Sequence, residues 1–241
     1  MSSSYWYYLH MTYQPSNHES HTVNVFVDEH DEYGNAVGIV IDLDHKLSMG
    51  ERQEIAIDLG YSESVFVDML NPLRVTIHNP QEQVAFAGHA ILGAAWYARN
   101  ISHIHTDTVL SMGKVSKVVE EDNLLWVRTN KTHLPHWNVE QLASPAKVEA
   151  ITVEQAATKQ HTVSWAWIKE GASIRARTFA PDWGIPEDEA NGSGSMLLAL
   201  ELQPENTPEP IEIHHGKGSV IYSRHLEGLY VMVGGRARLA K

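Results

Sequence analysis

The chain has 241 residues, 43% hydrophobic and 20% charged, and its 30 acidic and 18 basic side chains give a formal net charge of −12. That composition is globular, sufficient for one large domain or two smaller lobes, and the acidic balance without a basic patch argues against nucleic acid as a partner. The absence of cysteine excludes disulfides, zinc–thiolate sites and thiol nucleophiles and suits a reducing compartment. No apolar run approaches the ~18 residues of a membrane helix, and residues 1–8 lack the basic start and apolar core of a signal peptide, so no membrane association and a cytoplasmic location are the expectation.

Residues 1–20 are aromatic, then polar, and read as an extension whose form the sequence leaves open: an extra strand, an ordered tail, or sequence upstream of the true start. Residues 21–27 alternate with period two and predict a strand. An acidic turn follows, then an almost uninterrupted apolar strand over 35–42. Ser48 with Glu51 forms a capping box opening a helix that Gly60 stops. Strands are predicted over 62–68 and 73–79, a helix over 88–100, and strands over 108–112, 114–120 and 124–129. Residues 132–147, rich in His, Pro and Asn, read as a crossing between lobes. Thr152 with Gln155 predicts a short capped helix, 162–169 and 173–179 strands, 192–202 a second apolar helix, and 209–214, 218–224 and 228–239 closing strands.

The stretch Val84 to Trp96 stands out. It runs into a helix of unusually small residues in which Gly88 and Gly93 carry no Cβ, so other backbone can approach closely. A helix apolar all round is buried, and His89 in its first turn puts a titratable group beside free backbone N–H donors. The plainer reading is a core helix with a hydrogen-bonded histidine.

The arrangement recurs about a hundred residues later. Leu73-Arg74 with its strand and Pro80 matches Ile174-Arg175 with its strand and Pro181; each Pro leads through a carboxylate-bearing loop to Gly88-His89 or Gly192-Ser193, where a small apolar helix opens. The repeat predicts an α+β fold of two pseudo-symmetric lobes, each a sheet rolled round a central helix. The N-terminal lobe would span 21–131 and the C-terminal lobe 132–241, with the last strand open to returning to the first lobe. A ligand cleft is expected where the two helix starts converge.

Glu63, at the mouth of a Val/Phe strand, reads either as a solvated strand-end residue or as an acid/base raised by an apolar wall. Asp188 has the same two readings, three acids in a row being the usual mark of a solvated loop. Gly192, Ser193 and Gly194 can offer successive N–H groups to a carboxylate or phosphate, or can be a helix start with a serine cap. Neither glycine stretch is a nucleotide fingerprint: the second lacks a third Gly and a leading strand, and no Lys follows Gly93. The pairs His18/His21, His103/His105 and His214/His215 lack a recurring third ligand among 15 histidines, so no metal is expected.

With these residues in view, the chain resembles the phenazine-biosynthesis PhzF-like family of the diaminopimelate-epimerase-like fold. The resemblance rests on Gly34-Asn35-Ala36-Val37, Tyr61-Ser62-Glu63-Ser64-Val65-Phe66-Val67, Phe86 to Ala95, Arg175 to Pro181, Glu187-Asp188, Gly192-Ser193, His215-Gly216 and Ser223-Arg224, in family order over roughly 22–240. It implies a cofactor-independent isomerase or epimerase of a small anionic or amino-acid-like substrate, commonly homodimeric. It further implies that Glu63 moves a proton between carbons while His89 and Asp188 complete the catalytic set, and that Asn35, Ser62, Gly88, Gly192, Ser193 and Gly194 bind substrate. The family's Glu-Asp-Pro-x-Thr-Gly-Ser loop differs here, Glu189 replacing the Pro and Asn191 the Thr. That places an extra carboxylate beside the anion site, and the competing expectation is a binding or dimerising module that kept the cleft and lost the chemistry.

Overall fold

The structure is a computed structural model that describes residues 18–241. The reading of 1–20 as an extension lies outside the described residues except at 18–20. In chain order the strands are β1 (Ser20–Val27), β2 (Asn35–Ile41), β3 (Ser64–Leu70), β4 (Leu73–His78), β5 (Gln83–Val84), β6 (Thr108–Ser111), β7 (Lys114–Glu121), β8 (Leu124–Asn130), β9 (Asn138–Gln141), β10 (Thr162–Lys169), β11 (Ser173–Ala180), β12 (Ile185–Asp188), β13 (Ile211–His215), β14 (Ser219–His225) and β15 (Tyr230–Leu239). The α-helices are α1 (Met49–Leu59), α2 (Gly88–Asn100), α3 (Pro145–Glu149), α4 (Val153–Ala156) and α5 (Gly192–Leu202).

All strands join one mixed sheet in the order β1-β2-β3-β4-β6-β7-β8-β15-β14-β13-β11-β10-β9, with β5 on β4 and β12 on β11. Pairing of β1 with β15 closes the first part of this order into a barrel. The long strand β15 makes the closure possible: Tyr230–Gly235 pair with β8, Val231–Gly234 with β14, and residues 236–239 with β1. The ladder pattern is written twice. β2 lies parallel to β3, β3 antiparallel to β4, and β4 parallel to β6 with β5 antiparallel beside it. β9, β10, β11, β13 and β12 repeat those relations in the same sense. The sequence repeat of 73–80 and 174–181 is therefore the β4/β11 equivalence.

Helix α2 packs against β1, β2, β3, β4, β7, β8 and β15, inside the barrel, where side chains must be small. A Cβ on Gly93 would sit 2.5 Å from Val37 Cγ1. Ala90, Leu92, Ala94, Ala95 and Ala98 are fully buried there, and burying a residue such as Leu92 contributes roughly 2 kcal/mol. Helix α5 packs on β14 and β15 and meets α2.

Helix α1 sits outside the barrel and is fastened by charge rather than by a wide apolar face. Buried Arg52 reaches Asp42 at 2.7 Å and Asp68 at 2.6 Å, and donates to Thr76 Oγ1 at 2.9 Å. The capping box at Ser48 and Glu51 forms as the sequence indicates, and Gly60 closes α1 in a left-handed conformation (φ 69°). This fixes the start of the loop that carries Tyr61, Ser62 and Glu63 into β3.

Two stretches differ from the sequence expectation. Residues 185–188, expected as a solvated acidic loop, form β12, because Thr178 and Ala180 of β11 take up its backbone hydrogen bonds. The crossing at 132–147 contains β9, a short parallel addition to β10, and the start of α3, whose proline occupies the first turn. Among the described residues no helix is long and apolar enough to cross a membrane.

Candidate active site

The helices α2 and α5 abut at their first residues. A Cβ on Gly88 would meet Gly192 Cα at 3.2 Å, and one on Gly192 would meet Gly88 Cα at 3.2 Å and the backbone nitrogen of His89 at 3.3 Å. Only glycine lets two main chains come this close. Each helix start directs free N–H groups and the positive end of its dipole outward, and two such ends in contact make a concentrated anion-attracting point.

The starts are finished differently. Helix α2 is preceded by Ala87, which offers no side-chain cap. Helix α5 is capped by Asn191, whose Oδ1 accepts the Gly194 N–H at 2.5 Å. The N–H of Gly194, implied as a ligand donor, is thus consumed by the cap. The donors left for a ligand at this end are those of Gly192 and Ser193. The cap is Asn191 and not a serine, because the Ser193 hydroxyl is otherwise engaged: it accepts the Trp137 indole N–H at 2.9 Å and donates to Asn191 Oδ1 at 3.3 Å.

Glu63 immediately precedes β3, and its side chain is 14% exposed. Its Oε2 lies 3.2 Å from Nε2 of His89, itself 3% exposed in its side chain. The contact lacks hydrogen-bond geometry, and among the described residues buried Oε2 has no hydrogen-bond partner. Burial, reinforced by the negative charge of Asp188 and opposed by a hydrogen bond from Ser62, raises the Glu63 pKa to about 8. Burial lowers that of His89, with Asp188 pulling the other way. At neutral pH the pair is therefore mainly a protonated carboxyl beside a neutral imidazole, two groups poised to pass a proton.

Behind this pair runs a satisfied polar network. Ser62 Oγ stands 3.5 Å from His89 Nε2 and 3.3 Å from Asn35 Nδ2. Asn35 Nδ2 also donates to Asp188 Oδ1 at 2.5 Å and to the Ala190 carbonyl at 3.1 Å, and Asn191 Nδ2 donates to Asp188 Oδ2 at 2.8 Å. Asp188 is buried at the end of β12, not solvated. One more buried group backs the loop: His215 Nδ1 donates to the Glu189 carbonyl at 2.9 Å while Nε2 accepts the Thr178 hydroxyl at 2.9 Å. Burial brings the His215 pKa down to about 4, which agrees with that neutral tautomer.

A cavity of about 360 Å³ brings together Glu63, Gly88, His89, Gly192 and Ser193. Asn35, Ser62 and Asp188 do not line it; they face a second cavity of about 600 Å³ bounded by Tyr33, Tyr61 and Pro186. Of these three, Ser62 approaches His89, Asp188 reaches Glu63 and His89 through its charge, and Asn35 holds Ser62 and Asp188 in place. Glu189 likewise stays out of the first cavity. Its carboxylate accepts the Lys217 N–H at 2.9 Å and the Ser219 hydroxyl at 2.9 Å, so the extra acid of this loop is held away from the helix starts.

Sequence reasoning missed Trp137, Trp183, Lys114 and His133, all in the cavity wall. The two indoles pack edge to face, 5.3 Å between centroids. A tryptophan inside a polar, proline-rich crossing is the one signal that marks Trp137 beforehand. Among the described residues no three His, Asp or Glu side chains gather as a metal site requires.

The comparisons with known proteins agree with this architecture. The family model for phenazine biosynthesis-like proteins, PhzC/PhzF, matches residues 23–166, more than half of the chain. Among solved structures, a PhzF-family phenazine biosynthesis protein from Enterococcus faecalis is similar at 18% identity with a TM-score of 0.75, covering 93% of this chain and 97% of that one. A predicted epimerase from Pseudomonas aeruginosa is similar at 18% identity with a TM-score of 0.66, covering 93% and 97%. A hydroxyproline epimerase from Agrobacterium vitis, with trans-4-hydroxy-L-proline bound, shares 9% identity at a TM-score of 0.58, covering 93% and 91%. At such identities the structures speak for the fold, and the family model speaks for descent: this chain belongs to the phenazine biosynthesis-like PhzC/PhzF family.

Proposed function

We propose that the chain is an isomerase or epimerase that moves a carbon-bound proton of a small carboxylate-bearing metabolite, with Glu63 as its single acid/base. The observation that carries this reading is Glu63 Oε2, buried without a hydrogen-bond partner among the described residues and 3.2 Å from a buried imidazole, in a cavity capped by two helix starts. An unsatisfied buried carboxylate costs stability, and retention of such a group is accounted for by a reaction that uses it.

In this scheme the substrate carboxylate sits on the N–H groups of Gly88, His89, Gly192 and Ser193. Ionised Glu63 takes the proton from the adjacent carbon, and the negative charge that develops on the substrate is held by the same N–H groups. Glu63, now the acid, returns the proton to another carbon or to the other face of the same one. Neutral His89 polarises the substrate, and Asp188 supports Glu63's raised pKa. The scheme needs no cofactor. Residues 21–131 and 132–241 would serve as two lobes that meet at the glycine contact, and the protein would work as a homodimer, which light scattering on the purified protein tests.

The family's isomerase-type fold neighbours favour this reading over a non-catalytic module, as does the turning of Glu189 away from the cavity. Proton NMR in heavy water decides between them. Metabolite mixtures rich in amino and aromatic acids are incubated with wild-type protein and with Glu63→Gln. A signal washed out or converted only by the wild type supports the scheme. Turnover that survives in Glu63→Gln overturns the assignment of the base, and line broadening with no exchange in any mixture leaves a binding module.

A further inference from the structure

The cavity is lined by two polar side chains that the scheme above does not use. They are Lys114, at the β6–β7 turn, and His133, in the turn after β8. The turn is tightly specified: Ser111 pairs with Lys114 across it, with Met112 at φ 46° and Gly113 at φ 74°. His133 Nδ1 is 3.0 Å from the Thr129 hydroxyl, and with that hydroxyl donating, the ring offers Nε2–H as a donor.

Lys114 is the only Lys or Arg among the residues that line this cavity. It is half-buried, and among the described residues it has no carboxylate within 4.0 Å. Arg52, Lys159, Arg175 and Arg177 hold an acidic partner; among the described residues half-buried Arg128 and Arg236 hold none within 4.0 Å either, but neither lines this cavity. In a chain with net charge −12, an unpaired cation on a cavity wall is a local inversion of the field that focuses anions. Its charge reaches His133, whose imidazolium it disfavours together with burial. Glu82 also borders the cavity but is exposed at its rim, where water screens it. Much of the remaining wall is apolar, including Phe86, Leu134, Pro135 and Trp137.

We propose that Lys114 and His133 read a second acidic group, so that the substrate of this site is a small dicarboxylate: one carboxylate on the paired helix starts, an apolar middle against Leu134 and Trp137, and the other carboxylate on Lys114. The proposal rests on the reading of this cavity as the substrate site. It gives Lys114 a specificity role, remote from the reacting carbon.

The test is titration of isotope-labelled protein with glutarate and adipate, each set against its own monoamide, followed by amide shifts at Gly88, His89 and Gly192. Wild-type protein is expected to bind the better diacid at least about tenfold more tightly than its monoamide, the scale of one charge-assisted contact. Lys114→Met should erase that preference without weakening the monoamide, and Lys114→Arg should keep it. His133→Phe should reduce it partially. Equal affinities for diacid and monoamide, a preference that survives Lys114→Met, or no binding of either diacid each overturn the proposal. Proton exchange by the wild type separates it from the catalytic reading: a Lys114-dependent diacid preference in a wild-type protein that exchanges no proton in any mixture sustains this inference while the isomerase scheme falls.

Discussion

The two helix starts that meet at Gly88 and Gly192 are built from equivalent pieces of a repeated topology, yet one is left unfinished and the other is saturated. Among the described residues no side chain caps the α2 start, and the adjacent Glu63 keeps a buried oxygen without a hydrogen bond. At the α5 start Asn191 caps the helix, Trp137 occupies the Ser193 hydroxyl, and both oxygens of Asp188 are taken by Asn35 and Asn191. The contrast sets an unsatisfied buried group against a satisfied network. A buried oxygen without a hydrogen bond is costly to hold, and the bonded groups beside it supply the rigidity that holds it.

The largest effect expected from breaking this contrast is on the unfinished side. Glu63→Gln should slow carbon–proton exchange by about 10²–10⁴, the usual range for a general acid/base. It should also move stability with a definite sign. The folded pKa of about 8 lies above the ordinary 4.5, so the folded state holds the proton more tightly. The stability this confers is complete below pH 4.5 and is lost as pH rises through 8. Glu63→Gln escapes that loss, so its Tm should exceed the wild-type value at pH 9 and converge with it near pH 4. The same pKa predicts that kcat/KM for the exchanged metabolite rises about tenfold per pH unit below 8 and then levels.

On the saturated side the expected effects are on stability. His215 has a folded pKa of about 4 against an ordinary 6.5, so below pH 6.5 the unfolded chain binds the proton first. Its contribution is whole above 6.5 and lost as pH falls to 4, at most about 3 kcal/mol on the linkage scale. Denaturant titrations of wild type and His215→Gln between pH 7 and 4 check this, and parallel pH slopes would contradict it. Asn191→Ala should cost about 1–2 kcal/mol from the lost cap and should raise KM more than it lowers kcat, because the anion donors lose their positioning. Smallest is Trp137→Phe, which keeps one aromatic ring but removes the pyrrole edge and its hydrogen bond to Ser193, an expected loss of about 1 kcal/mol.

Much of this was legible in the chain. The alternation at 21–27, the capping box at Ser48 and Glu51, the small-residue helix at 88–100 and the repeat linking 73–80 to 174–181 all reappear as elements, because each is a local pattern with a local physical cause. His89 was legible as a titratable group at a helix start, and Glu63 as a strand-mouth carboxylate that was either solvated or raised by an apolar wall. What one-dimensional reading could not decide was which polar groups are satisfied. Asp188 looked like a member of a solvated acidic loop and is buried on β12, and Gly194 looked like an anion donor and is bound to Asn191. Lys114, His133 and Trp137 carry no motif and reach the cavity only because the β6–β7 turn and the 132–147 crossing fold over it.

By itself, the sequence determined the elements, the repeat, the glycine pair and the identity of the titratable residues. Those follow from periodicity, capping and steric permission within a few residues of chain. Only the tertiary structure decided that Glu63 is desolvated beside His89, that Asp188 acts on it from a separate cavity, and that Glu189 points away. Desolvation and charge coupling depend on what distant strands bring within a few ångströms, and that distance is set by the closure of β1 on β15 and by the contact of two glycines far apart in the chain.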